Sequence, residues 1–141
     1  MPLRVVLDTN VLIAGLRSPD GASFQLLQQL GGEAVTLCIS VPLILEYEAV
    51  AKRQSRELGL SFADIDDVLD YVCSIAEPHT IFYLWRPFLS DPRDDLVLEL
   101  AVEAGVTCIV THNLRDFAGT EQFGIQVLSP GAFLRRLEAQ V

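Results

Sequence analysis

"VVLDTNVLIAGL", Val5 to Leu16, is the stretch on which the fold turns. Arg4 to Leu7 is a short apolar run without polar alternation, which fits a strand buried on both faces. Asn10 to Leu16 reads as a helix. Asp8, Thr9 and Asn10 stand at the joint between them. A buried carboxylate needs partners, a metal or a proton to offset its desolvation. The plainer reading is that Asp8 or Asn10 only caps the helix. The choice depends on whether other acids reach the same end of the molecule.

Outward from this joint, strands and helices alternate. Ser23 to Leu30 is a short helix after the loop "SPDG", and "AVTLCIS" is a second strand. A helix follows to about Arg56, with Ser40 as N-cap and Pro42 in its first turn. In "SFADIDDVLDYVCSIAEP", Phe62, Ile65, Val68, Leu69, Val72, Cys73 and Ala76 keep the helical period, and Ser61 with Asp64 forms a capping box. "TIFYLW" reads as a strand, Asp94–Ala104 as a helix ended by Gly105, and "TCIVT" and "IQVLS" as strands. "SPGAFLRRLEAQ" closes the chain as a helix capped by Ser129. The pattern predicts an α/β fold, a three-layer α/β/α sandwich with a mainly parallel central sheet, forming a single domain over residues 1–141. In such folds ligands bind beyond the carboxyl ends of the strands.

The acids are placed by helical phase. Glu46 has Pro42, Leu43, Ala49 and Val50 as its helical neighbours, so it faces inward. Glu48 has Lys52 four residues on and faces solvent. In "DPRDDLVLELA", Asp94 shares a stripe with Val97, Leu98 and Ala101 and faces the sheet. Asp95 shares its stripe with Glu99 and is expected to be exposed. Asp91 either caps the helix or joins the site. "IVTHNLRDF" ends a strand at Thr111 and then supplies Asn113 and Asp116. Four acidic positions, each after a strand or opening a helix, would together line one pocket at the sheet's carboxyl edge.

The formal net charge is −9, awkward for a simple nucleic-acid binder but suited to an enzyme, a metal binder or a protein with a basic partner. No apolar run is long enough to span a membrane, and the N-terminus lacks a secretory pattern, so a cytoplasmic protein is expected. Cys38, Cys73 and Cys108 have no metal-type spacing and read as buried, reduced thiols.

The motifs together resemble PIN-domain nucleases, close to the VapC-like toxins of bacterial toxin–antitoxin systems. "LDTNVLI", "LEY", "DPRDDLVLELA" and "IVTHNLRDF" are similar to the family's four motifs in order and spacing, and the ending "LSPGAFLRRL" is similar too. The resemblance spans essentially the whole chain. It implies a metal-dependent endoribonuclease acting on single-stranded RNA. Asp8, Glu46, Asp94 and Asp116 would be the catalytic, metal-binding acids. Thr9 and Asn10 would brace the first acid, and Thr111 would orient the site. At Asn113 many relatives carry an Asp; others share the Asn with an Asp three residues on, as here. A homodimer and a small cognate antitoxin protein are further implications.

The chemistry fits these residue types. Phosphodiester hydrolysis needs an activated water and relief of charge on phosphate, and Mg²⁺ or Mn²⁺ supplies both through oxygen ligands. His79 and His112 are the only histidines and are far apart, which argues against Zn²⁺. His79 reads as a strand-edge residue, whereas His112 lies inside the fourth motif. Arg53, seven residues after Glu46 on the same helical face, and Arg115, beside Asp116, are the candidate substrate-binding residues. Two other enzyme classes fit less well. A haloacid-dehalogenase-like phosphohydrolase wants an Asp where Asn10 stands. A response-regulator receiver wants a late Lys, and the only Lys is Lys52. A non-catalytic PIN-like binding domain would have no need of all four acids.

Overall fold

The computed structural model describes residues 2–81, 89 and 91–140. β1 (Leu3–Leu7) runs directly into α1 (Thr9–Arg17), with Asp8 as the joint. There follow α2 (Ala22–Gln29), β2 (Val35–Ile39), α3 (Val41–Arg53), the single turn α4 (Ser55–Leu58), α5 (Phe62–Ile75) and β3 (Glu77–Pro78). Then come α6 (Pro92–Ala104), β4 (Cys108–Val110), two 3-10 turns (Leu114–Phe117 and Thr120–Phe123), β5 (Gln126–Leu128) and α7 (Pro130–Glu138).

The five strands form a parallel sheet in the order β3-β2-β1-β4-β5. Strand residues alternate between two cores, as the pleat requires. Leu3, Val5, Leu7, Val35, Leu37, Ile39, Cys108 and Val110 meet α2 and α7 through Leu26, Leu30, Phe133 and Leu137. Val6, Cys38 and Ile109 point the other way, to α3 and α6 through Leu43, Tyr47, Leu98 and Ala101. The result is the expected three-layer α/β sandwich. From β1 the chain winds outward to β2 and β3, then crosses back to β4 on β1's other side. The crevice between the carboxyl ends of β1 and β4 is therefore the topological switch point, where such sheets bind ligands.

The caps follow from local chemistry. Ser40 Oγ accepts from Leu43 N at 3.3 Å, and Ser61 and Asp64 form the reciprocal capping box. Ser129 Oγ accepts from Ala132 N at 3.2 Å, and Gly105 ends α6 at φ 62°, a conformation that suits glycine.

Several expectations are corrected. α6 starts at Pro92, two residues before the expected Asp94. The helix after Ser40 stops at Arg53 and resumes as α4, since Gln54 leaves the helical region at ψ 16°. Most of the strand expected at Thr80–Trp85 lies outside the described residues; the strand paired with β2 is the two-residue β3. Phe62 is exposed, with its ring 5.4 Å from Lys52 Nζ, and Cys73 is exposed too, although both keep the apolar period of α5. The stripe of α5 is wider than the face that reaches the core at Ile65, Leu69 and Val72. Asp95 and Glu99 are buried, not exposed, at 0% and 3% accessibility. α6 is covered on more than its sheet face, so its polar stripe is enclosed as well.

Candidate active site

Asp8 N donates to Val110 O at 2.9 Å, which holds the start of α1 against the end of β4. The Asp8 carboxylate is buried and held at both oxygens. Oδ1 accepts from Thr9 N at 2.8 Å and Oδ2 from Thr111 Oγ1 at 2.7 Å. Thr111, wholly buried, accepts in turn from Asn113 N at 3.0 Å and Asn10 Nδ2 at 3.4 Å. Asn10 Oδ1 accepts from His112 N at 3.2 Å. Asp8 is the structural N-cap of α1 and a site residue at once, because a cap needs only one of its oxygens. The two readings open at the sequence level were not exclusive.

A second restraint comes from α3. Tyr47 is fully buried, and its hydroxyl donates to Leu7 O at 2.5 Å. It pins α3 to the end of β1, one residue before Asp8, and so sets where Glu46 stands. Sequence reasoning passed over it between the two glutamates of "LEYE". Glu48 is turned away and bonds Lys52 Nζ at 3.0 Å, as its phase required.

The cleft at this edge has a volume of about 580 Å³, and Asp8, Glu46, Asp91, Asp94 and Asp116 all line it. Asp91 caps α6 through Arg93 N and also lines the cleft. Thr9, Asn10, Asn113, His112 and Arg53 are lining residues as well; Thr111 stands behind Asp8. His112 is bonded through Nε2 to Ser23 Oγ at 2.8 Å. Arg115, expected beside the site, is exposed on its 3-10 turn and does not line the cleft. Arg17 and Arg93 do line it and were not anticipated. For Arg17 the signal was present, seven residues after Asn10 on the same helical face.

The electrostatics register this convergence. Burial pushes the Asp8 carboxyl up, only partly offset by its bonds to Thr111 and Thr9. Asp94 is pushed up to about 7, first by burial and then by the charges of Asp8, Asp91 and Asp116. A cleft that raises its carboxyl pKa values in this way is charge-frustrated without a cation. Its acidic end offers carboxylate and amide oxygens without a thiol, a donor set suited to a hard divalent ion.

A tighter group of ligand-type atoms lies elsewhere. Cys38, Glu77 and His79 place theirs within 4.8 Å of one another beside β3. Arg4 already grips both Glu77 oxygens, at 2.6 and 3.2 Å, and His79 Nε2 lies 2.7 Å from Oε1. A guanidinium on the carboxylate makes this an ion-pair network that ties β1 to the sheet edge. His79 is the strand-edge residue expected of it.

The PIN domain family profile matches residues 4–115, and the chain belongs to this family of nucleases. Two solved structures similar to it are toxin–antitoxin assemblies. One is VapBC2 from Rickettsia felis bound to a DNA fragment from its promoter, with a TM-score of 0.62 at 14% identity over 89% of this chain and 98% of that one. The other is VapBC-1 from nontypeable Haemophilus influenzae, with a TM-score of 0.61 at 15% identity over 92% and 99%. At that identity the likeness concerns the fold. No curated protein matches the sequence.

Proposed function

We propose that this chain is a divalent-metal-dependent endoribonuclease that hydrolyses single-stranded RNA as the toxin of a toxin–antitoxin pair. The observation that carries the reading is the convergence of Asp8, Glu46, Asp94 and Asp116 on one cleft at the switch point. These four would hold Mg²⁺ or Mn²⁺, which supplies a polarised water and neutralises charge on the phosphate. Asp8 is fixed for this by Thr9, Asn10, Thr111 and Asn113. In the metal-free cleft Asp94 is pushed up to about 7, so binding of the cation would displace its proton. The hydrolysis forms one P–O bond to the water oxygen, breaks another, and leaves a proton on the departing oxygen.

The described residues contain no helix long and apolar enough to cross a membrane, which fits action on cytoplasmic RNA. The VapBC assemblies among the similar structures support a small antitoxin protein as partner, and a homodimer is the oligomeric state proposed. The test is cleavage of single-stranded RNA with Mn²⁺ by the parent and by Asp8→Asn. The parent should cut, EDTA should stop it, and the variant should be folded but inert. A parent that binds Mn²⁺ without cutting any RNA would turn the reading toward a non-catalytic PIN-like domain.

A further inference from the structure

The cleft has a second, cationic end. α1 and α3 lie side by side and contribute to it with the same spacing. On α1 the lining residues are Thr9, Asn10, Ile13, Ala14 and Arg17; on α3 they are Glu46, Val50 and Arg53, followed by Gln54. In each helix a polar site residue, Asn10 or Glu46, is followed by an arginine seven positions later, two turns along the same face. Seven residues of helix span about 10 Å. The cleft therefore runs from carboxylates, over the apolar floor of Ile13, Ala14 and Val50, to two guanidinium groups.

These arginines are not neutralised by the acids around them. Arg17 Nη2 donates to the neutral Gln54 Oε1 at 2.6 Å, which steers its guanidinium without cancelling the charge. Among the described residues Arg53 forms no ion pair with a carboxylate. Arg93, by contrast, is bonded to Asp91 at 2.9 Å. In a chain with 19 acidic and 10 basic residues, two uncompensated arginines on one cleft wall point to an anionic ligand. Guanidinium groups suit phosphate in particular, because their N–H donors match its oxygens in pairs.

Resting on the ribonuclease reading above, we infer that Arg17 and Arg53, with Gln54 positioning Arg17, form a second phosphate subsite. It binds the phosphodiester flanking the one over the carboxylates. At about 10 Å along the helices the arginines stand beyond the reacting phosphate. The apolar floor between the two ends accommodates the ribose that separates successive phosphates of a single strand, with the base it carries.

The test uses the full chain with a short single-stranded RNA of mixed sequence in Mn²⁺, after the parent's cleavage position has been mapped. Arg17→Ala and Arg53→Ala should each raise KM several-fold while kcat holds, the mark of lost uniform binding. For each variant the slope of log affinity against log salt should shrink by about 0.7, as expected for one single-strand phosphate contact. Gln54→Ala should show a weaker form of the Arg17→Ala effect. A neutral methylphosphonate at the flanking position should weaken the parent and have no further effect on the double arginine variant. Mn²⁺ affinity and melting temperature should stay close to the parent's throughout, since both side chains are exposed and form no ion pair with the acids. A double variant with the parental KM, salt slope and methylphosphonate sensitivity would overturn the subsite while leaving the nuclease intact. A parent that neither binds nor cuts RNA would instead overturn the ribonuclease reading, and the subsite with it.

Discussion

At the scale of the residue, Asp8 is the most constrained group in the cleft. Thr111→Val preserves shape but removes the donor to Asp8 Oδ2 and the acceptor for Asn113 N. Hydrogen bonds to charged groups contribute about 1.5–3 kcal/mol, so a loss of roughly that size is expected in denaturant unfolding. Asp94 makes a pH-dependent contribution whose sign is fixed. Its carboxyl titrates at about 7 in the folded chain against an ordinary 3.8. Between those values the folded chain keeps a proton that the unfolded chain has lost, so metal-free stability should fall as pH rises from about 4 to about 7. The raised Asp8 acts in the same sense. Melting curves in EDTA across this range should show the decline, and Asp94→Asn should flatten it. A profile equally steep in the variant would remove Asp94 as its source. Glu46→Gln should abolish RNA cleavage. Glu48→Gln should leave it nearly intact and cost at most a few tenths of a kcal/mol, because its partner Lys52 also bonds Asp66 at 2.9 Å.

At the scale of the element, the placing of α3 and α6 matters most. Tyr47→Phe removes one oxygen and nothing else, yet that hydroxyl is what ties α3 to the end of β1. A buried carbonyl deprived of a partner costs about 1–3 kcal/mol. Destabilisation in that range is expected, with weaker Mn²⁺ binding because Glu46 is no longer held in place. Parental Mn²⁺ affinity in Tyr47→Phe would show that Glu46 is positioned without it. α6 separates two adjacent aspartates by burial. Asp94 lines the cleft, whereas Asp95 is enclosed and accepts from Leu89 N at 3.0 Å. Asp94→Asn should therefore weaken metal binding. Asp95→Asn should lower stability while leaving the metal response almost full. Calorimetric Mn²⁺ titration beside thermal melts separates the two effects.

At the scale of the whole molecule, five of the chain's 19 acids line one cleft at the sheet's carboxyl edge. A cation that binds only the folded state stabilises it by mass action, by about 2.7 kcal/mol at 100 times its dissociation constant. Melts in EDTA and in excess Mn²⁺ should separate clearly for the parent. The gap should widen with pH as the cation displaces the cleft's protons. Equal melting temperatures under both conditions would mean that the acids do not form a metal site. The layout of the cleft reconciles an acidic chain with an RNA substrate. The strand meets a cleft whose anionic end is neutralised by metal and whose other end carries Arg17 and Arg53.

The sequence by itself determined what rests on local periodicity and caps. The buried strand ending at Leu7, the Ser61–Asp64 box and the stop at Gly105 depend on neighbours a few residues away, and each is found where the pattern put it. Glu46 and Glu48 parted as their phases required, because α3 is buried along a narrow face ending in Tyr47 and Ala51. Phase failed for Asp95 because α6 is covered on several sides, so polarity along the helix no longer reports exposure. Tertiary structure alone decided that Tyr47 reaches Leu7, that Thr111 crosses from β4 to hold Asp8, and that Arg17 shares a cleft with Arg53 while Arg115 does not. These pairs stand 36 or more positions apart, or depend on which way a turn faces, and no local period encodes either.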